Sequence, residues 1–427
     1  MLNVAMLSYH TCPLEILGGK DTGGMNVYVR ELTHHLGKLG VHVDVFTRSQ
    51  NEHVPHVLHD LGYGNRVVHI PSGPETPRPK SELAQYLPQF VEGIQRFADE
   101  KHIHYDLVHS HYWLSGLAAE TLKERWDVPW LHMFHTLGLM KNQIAHASSG
   151  QTPSSAELEP QVRIDGERRI LEEADCIVSA TPAEQTQIDS LYHVTPRQLV
   201  VIPPGVDTSR FYPIPPDEAR QVIGIPNTNC LILFVGRIEP LKGVDTLIRA
   251  IALLTQQHPM VDCPHYLAVI GGDPDASQNE MSAEMVRLQA LSKELKINDL
   301  VIFLGKRSQD SLPYYYSAAQ VVVVPSHYES FGMVALEAMA CGTPVVASQV
   351  GGLAYLVQDG VTGYVTPNGN PQALANRLAQ LLEQSELRDQ LGRQAEAYAQ
   401  DYEWDKITNR ILGVYHQLLN PEKLETA

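Results

Sequence analysis

The sequence predicts an α/β protein built from two doubly wound domains, each with a parallel sheet. Its 427 residues suffice for two or three domains of about 100 to 200 residues each. Short β-branched runs alternate with amphipathic stretches of helical length. That alternation stops once, at a proline-rich segment, and then resumes. Apolar strands separated by helical patterns need crossover connections, and crossovers produce parallel sheets.

Taken in order, residues 3–7, 42–47, 67–70, 106–110, 131–134, 176–180 and 199–202 read as the strands of the first domain. Pro203-Pro204-Gly205 and Tyr212-Pro213-Ile214-Pro215-Pro216 follow. Proline fixes φ and removes a backbone donor, so this stretch reads as a stiff connector. The boundary is therefore expected there, with a first domain over 1–205 and a second over 206–403. Residues 231–235, 266–270, 301–304, 321–324, 345–348 and 363–366 read as the second set of strands. Helical patterns over 371–382, 385–400 and 404–419 close the series. Ligands of such sheets bind outside the carboxyl ends of the strands, so functional residues are expected on strand-to-helix loops, with the two domains facing across a cleft.

Composition excludes other classes. A hydrophobic fraction of 43% and a charged fraction of 19% belong to an ordinary globular chain rather than a disordered one. Lys and Arg number 32 against 49 Asp and Glu, a net charge of −17, and no basic stripe interrupts that balance. Nucleic acid is therefore not an expected partner. Met1 to Leu7 has no basic n-region and too short an apolar run for a signal or membrane segment, so a cytoplasmic protein without a membrane partner is expected. Cys12, Cys176, Cys230, Cys263 and Cys341 are scattered and odd in number, which predicts reduced thiols rather than a disulfide framework or a zinc knuckle.

Three motifs fall on the expected loops. Gly23-Gly24-Met25-Asn26 opens a helix after the first strand, where glycines let a ligand approach backbone N–H groups and the helix dipole favours an anion or polar sugar. The pattern is not G-x-G-x-x-G, so a dinucleotide fingerprint is absent. Gly236-Arg237-Ile238-Glu239-Pro240-Leu241-Lys242-Gly243 follows the strand at 231–235. Arg237 and Lys242 there can converge on a diphosphate, the first as a planar fork and the second as a point charge. The competing reading is a solvated turn with an Arg237–Glu239 ion pair. The third, Pro325-Ser326-His327-Tyr328-Glu329-Ser330-Phe331-Gly332-Met333-Val334-Ala335-Leu336-Glu337, places Glu329 in a loop and Glu337 within an apolar helix. An acid so placed needs a partner, and sugar or ribose hydroxyls are candidates.

Glu329 with Glu337, Arg237 with Lys242, and the Gly23-Gly24 loop together resemble the retaining nucleotide-sugar glycosyltransferases of family 4, which have the two-domain GT-B fold. The likeness extends to Val201-Ile202-Pro203-Pro204-Gly205-Val206-Asp207 and Ala340-Cys341-Gly342-Thr343-Pro344-Val345-Val346. It implies that the last helix, with residues 404–427, returns to the N-terminal domain. It also implies that Arg237 and Lys242 bind the donor diphosphate, that Glu337 holds the ribose, and that Glu329 lies beside the transferred sugar. Gly24 and the segment Phe331, Gly332, Met333 and Val334 complete the donor set. No cofactor is expected to be required; Mg²⁺ is possible but not essential, with Asp273-Pro274-Asp275 as the one D-x-D candidate outside the matched elements.

By the same resemblance, Lys80, Tyr112, Thr136 and Arg163 occupy positions that cradle an acceptor phosphate, with Gly24 and Asn26 alongside. Two cations and two hydroxyls match a phosphate's charge and oxygens, whereas a neutral acceptor would leave them unpaired. Histidines at 109, 111, 132 and 135 lack a carboxylate or thiolate at ligand spacing and read as structural. His135 is the exception, placed beside the donor sugar because it precedes Thr136.

The resulting expectation is transfer of a hexosyl group from a UDP-sugar to a phosphorylated sugar or polyol, with retention. Glu329, Arg237, Lys242 and His135 form the catalytic set. Met25-Asn26 after the glycine pair resembles mycothiol-pathway transferases, which place N-acetylglucosamine on inositol phosphate. The excess of Gln over Arg argues instead for the sucrose-phosphate synthases, which use UDP-glucose and fructose 6-phosphate, and these are the first choice from sequence. No pyridoxal-phosphate lysine motif points to a phosphorylase, and commitment of Glu337 to ribose disfavours a glycosidase pair. A non-catalytic sugar-nucleotide sensor would need the donor residues alone.

Overall fold

A computed structural model describes residues 1–15, 22–148, 158–227, 229–257, 264–274, 276 and 281–420. These form two compact units. The first holds 1–15, 24–203 and 404–420, and the second holds 22–23 and 204–403.

The first unit is an eight-stranded sheet of β1 (Asn3–Leu7), β2 (His42–Arg48), β3 (Val57–Leu58), β4 (Arg66–Ile70), β5 (Leu107–His111), β6 (Trp130–Met133), β7 (Cys176–Ser179) and β8 (Leu199–Val201). The strand order is β3-β4-β2-β1-β5-β6-β7-β8. Val4 lies between Val43 and Leu107, in parallel register on both sides. Every pairing is parallel except that of β3 with β4. Only β3 escapes the sequence reading, since two residues show no periodicity.

Helices cover the sheet through stripes of apolar residues. In Leu87–Lys101 the buried positions are Phe90, Val91, Ile94 and Ala98, one face of a 3.6-residue period. That helix stops at His102, whose φ of 52° is left-handed and ends the hydrogen-bond ladder. Helix Trp404–Leu419 buries Trp404, Ile407, Ile411, Val414 and Tyr415, each large apolar side chain contributing about 1.5–3 kcal/mol. It packs on helix Gly24–Lys38, with Trp404 edge-on to Tyr28 at 5.4 Å. The Tyr415 hydroxyl meets His109 Nδ1 at 2.7 Å.

The second unit contains β9 (Cys230–Val235), β10 (His265–Ile270), β11 (Val301–Gly305), β12 (Val321–Val324), β13 (Val345–Ser348) and β14 (Gly363–Thr366), ordered β11-β10-β9-β12-β13-β14 and parallel throughout. The four valines of β12 are all buried, as a strand covered on both faces requires. In each sheet the winding reverses once, between β1 and β5 and between β9 and β12. Such reversals open a crevice at the carboxyl ends of the strands, where ligands bind.

The cysteines need a correction. Cys12, Cys176 and Cys341 are free and buried, but Cys230 is disulfide-bonded. Its partner and Cys263 lie outside the described residues. Cys230 stands opposite His265 in the parallel pairing of β9 with β10, so the fold brings together segments whose separation in sequence hides their proximity. Among the described residues, no helix is long and apolar enough to cross a membrane.

Candidate functional site

In the second unit, the loops after β9 and β12 meet where the winding reverses. Gly243, at φ 62°, comes so close to the second loop that a Cβ there would lie 2.1 Å from the Pro325 carbonyl oxygen; only glycine fits. The His327 N–H donates to the Leu241 carbonyl at 2.8 Å. This docking carries Lys242 to Glu329, and the two form an ion pair. Ser326 Oγ donates to the same carboxylate oxygen at 3.1 Å. From behind, the Gly352 N–H donates to the Glu329 carbonyl at 2.8 Å.

Arg237 pairs with Glu239 at 2.8 Å, the two side chains being 36% and 34% exposed. That is the solvated-turn contact, worth at most about 1 kcal/mol at such exposure, and a stronger anion can replace it. Gly23, which goes with this unit, lies beside Arg237: a Cβ on it would sit 3.8 Å from Nε. Gly332, at φ 112°, caps helix Met333–Ala340. The first N–H groups of a helix have no intrahelical acceptor, so those of Met333 and Val334 are left for other acceptors.

Glu337 is buried, as its apolar neighbours predict. Its partner is a protein group: the Tyr316 hydroxyl donates to Oε2 at 2.8 Å. Burial, and then the Glu337 charge, push the Tyr316 phenol well above its ordinary value. One oxygen of Glu337 is thus fixed by the fold, a pairing across 21 positions of sequence that no local pattern shows.

The first unit gathers Lys80, Tyr112, Thr136 and Arg163. Lys80 opens a short helix after β4, Tyr112 follows β5, Thr136 follows β6, and Arg163 lies on helix Gln161–Glu173. Lys80 Nζ stands 5.7 Å above the Tyr112 ring and the Arg163 guanidinium 4.9 Å from it. Arg163 Nη1 donates to the Tyr112 hydroxyl at 3.2 Å, and Nη2 donates to the carbonyl and Oγ1 of Thr136 at 2.9 and 3.1 Å.

Arg163 is completely buried, and two carboxylates balance its charge: Glu167, one turn on along the same helix, at 2.7 Å, and Glu159, in the segment just before the helix begins at Gln161, at 3.0 Å. Burial works against the guanidinium, but Glu167, Tyr112 and Glu159 outweigh it and raise its pKa. Glu167 also accepts from the Gly138 N–H and from the Tyr192 hydroxyl. The sequence reading missed Glu159, Glu167 and Lys141. For Glu167 the signal was present, since an acid at i+4 shares a helical face with Arg163; Glu159 precedes the helix and carries no such signal.

His135, at φ 62°, brings Nε2 to 3.1 Å from His111 Nδ1. Burial pushes His135 and His109 down to about 3 and lowers His10, His111 and His132 well below the ordinary value, so all five are neutral at pH 7. Asn26 is buried and donates to Thr11 Oγ1 and the Cys12 carbonyl, both at 2.7 Å, which fastens the loop after β1. Gly24 begins helix Gly24–Lys38. Among the described residues no three His, Cys, Asp or Glu side chains are grouped to hold a metal, and Asp275 lies outside them.

Residues 22–210 match the family described as Glycosyltransferase Family 4, and residues 216–398 match Glycosyl transferases group 1. A D-inositol 3-phosphate glycosyltransferase of Acidothermus cellulolyticus is 42% identical, covering 97% of this chain and 90% of that protein. The chain belongs to glycosyltransferase family 4. A second relative of this glycosyltransferase, the D-inositol 3-phosphate glycosyltransferase of Actinosynnema mirum, is 41% identical over 98% of this chain and 97% of its own length. Among solved structures, a sucrose-phosphate synthase from Thermosynechococcus elongatus superposes with a TM-score of 0.88 at 35% identity, covering 99% of this chain and all of that one. The fold is GT-B, and the enzyme is a hexosyltransferase that takes its sugar from a nucleotide sugar.

Proposed function

We propose that this glycosyltransferase transfers a hexosyl group, with retention, from a UDP-sugar to a hydroxyl of a phosphorylated small molecule. One observation carries the acceptor half of this reading: a completely buried arginine gathered with Lys80, Tyr112 and Thr136. Burying a guanidinium is costly, and a site that presents two cations and two hydroxyls suits a phosphate.

In the donor half, Arg237, Lys242 and the N–H groups of Phe331, Gly332, Met333 and Val334 neutralise the departing diphosphate. Charge builds on that group in an oxocarbenium-like transition state, so fixed positive ends stabilise it. Glu337, held in place by Tyr316, takes the ribose, and Gly24 admits the ligands to backbone. Glu329, released from Lys242 when the diphosphate arrives, faces the positive sugar carbon, and His135 hydrogen-bonds the sugar as a neutral imidazole. The leaving diphosphate accepts the acceptor's proton. Neither metal nor organic cofactor is required for this route, and Mg²⁺ is dispensable.

Inositol phosphate is the acceptor we favour over fructose 6-phosphate. Two proteins named D-inositol 3-phosphate glycosyltransferase stand at 41% to 42% identity, above the 35% of the sucrose-phosphate synthase. Met25-Asn26 supports the same acceptor. The TM-score of 0.88 to the sucrose-phosphate synthase keeps fructose 6-phosphate as the second reading, below the first place that sequence composition gave it. The test is turnover of UDP-, ADP- and GDP-sugars against D-inositol phosphate, fructose 6-phosphate, free inositol and free fructose. Rapid turnover of one phosphorylated acceptor alone is expected. Equal rates with the free polyols would overturn the reading, and no turnover with any pair would leave a sensor.

A further inference from the structure

A guanidinium has five N–H donors, and those of Arg163 are all taken. Nε donates to Glu167 at 2.7 Å, and Nη2 donates to the carbonyl and Oγ1 of Thr136 at 2.9 and 3.1 Å. Nη1 serves the Tyr112 hydroxyl at 3.2 Å and Glu159 at 3.0 Å. A phosphate can reach Arg163 only where one of these partners leaves.

The five partners are not equally replaceable. The Thr136 contacts belong to a loop whose preceding residue is in a left-handed conformation, and the Tyr112 ring is packed against Arg163, Lys80 and His10. Glu167 is completely buried and held by Gly138 and Tyr192 as well. Glu159 differs. Its side chain is 22% exposed, and among the described residues it touches only cations, Lys141 at 2.8 Å and Arg163. Its backbone N–H is anchored separately, on Asn142 Oδ1 at 2.7 Å, so the carboxylate can turn without unfastening the chain. Burial raises its pKa, but Arg163 and Lys141 outweigh that and hold it below the ordinary range. A carboxylate bridging an arginine and a lysine offers the same two-oxygen contact as a phosphate.

We infer that the Glu159 carboxylate occupies the acceptor-phosphate position in the free enzyme and is displaced by that phosphate, and that Lys141 is a further acceptor-binding residue. This rests on the phosphorylated-acceptor reading above. Charge fits the exchange. Lys141 and Arg163 share the single negative charge of Glu159 in the free enzyme, and a phosphate dianion in its place brings them a second. Before the acceptor arrives, Glu159 spares Arg163 the cost of an incompletely paired buried charge. A neutral polyol brings no charge to displace it, so the exchange rejects unphosphorylated acceptors as well as retaining phosphorylated ones.

Calorimetry and steady-state kinetics on the full-length enzyme test the inference, with inorganic phosphate, D-inositol phosphate and fructose 6-phosphate as probes. Glu159→Gln keeps the shape and removes the competing charge. It should bind inorganic phosphate and the phosphorylated acceptor about tenfold more tightly, with the UDP-sugar KM unchanged. Lys141→Met, at a partly exposed position, should weaken the same probes about tenfold. Glu159→Asp, which keeps the charge but retracts it, should fall between wild type and Glu159→Gln. Unchanged or weaker phosphate binding in Glu159→Gln overturns the inference, because Glu159 would then only position Arg163. If neither wild type nor Glu159→Gln binds any phosphorylated probe, the acceptor reading itself fails.

Discussion

Arg163 and Arg237 are both assigned to phosphate, yet the two units hold them differently. Arg163 is completely buried and satisfied at every nitrogen by groups from three loops and its own helix. Arg237 is one-third exposed on a loop and pairs with its near neighbour Glu239. The first site is therefore part of its unit's core and the second lies outside it. Removing one partner of a buried pair strands the other, whereas an exposed pair contributes little to stability. Stability and function are coupled at Arg163 and separable at Arg237.

The sharpest way to break this comparison is Arg163→Ala. It should lower stability by about 3–5 kcal/mol, because Glu167 is left buried without its cation, and raise the acceptor KM far more than the donor KM. Trp113, Trp126, Trp130 and Trp404 are the only tryptophans and all lie in the first unit, so tryptophan fluorescence during melting reads that unit alone. An unchanged melting temperature would remove Arg163 from the core.

Arg237→Ala should behave in the opposite sense. A charged contact to the leaving diphosphate of about 3 kcal/mol corresponds to a loss of about a hundredfold or more in kcat/KM, with the calorimetric melting temperature, which reports on both units, unmoved. Near-normal kinetics would take Arg237 away from the leaving group.

Acid should also separate the units. Every buried histidine among the described residues lies in the first one. Where burial has lowered the folded pKa to about 3, as at His109 and His135, the unfolded chain binds more protons between pH 3 and its ordinary value near 6.5. Stability is then full above pH 6.5 and is lost as pH falls, by up to about 1.4 kcal/mol per pH unit for each histidine. Glu184, pushed up to about 7 by burial, and Glu120, also raised by burial, have the opposite sign and lose stability as pH rises above the ordinary carboxyl value, but they are two groups against six histidines. Tryptophan fluorescence should shift between pH 6 and 4; a flat signal to pH 4 would contradict neutral burial of the cluster.

The smallest effects are expected from Glu239→Gln, which should change kcat/KM less than about threefold because its ion pair is solvated, and from chelation. Activity in excess chelator should equal that without it. A collapse restored by Mn²⁺ would bring back a metal role for the acidic pair at 273 and 275.

Much of this architecture was legible because strand patterning is local. The four-valine run of β12 and the apolar stripe from Trp404 to Tyr415 announce their structures within a few residues. Lys80, Tyr112, Thr136 and Arg163 were named from sequence and do come together, as do Lys242 and Glu329. What stayed hidden is non-local or short. Strand β3 has two residues, and the partners of Glu337 and Cys230 are set by tertiary placement. Lys141 and Glu159 carry unremarkable side chains whose meaning comes only from the buried guanidinium between them.

Helix Trp404–Leu419 has a consequence for biosynthesis. It supplies Trp404 and Tyr415 to the unit that begins at residue 1, while all the strands of the other unit precede it in the chain. A ribosome has therefore released the whole β9–β14 sheet before the earlier sheet can bury Tyr28 beneath its last helix. The half of the molecule that is translated first is completed last.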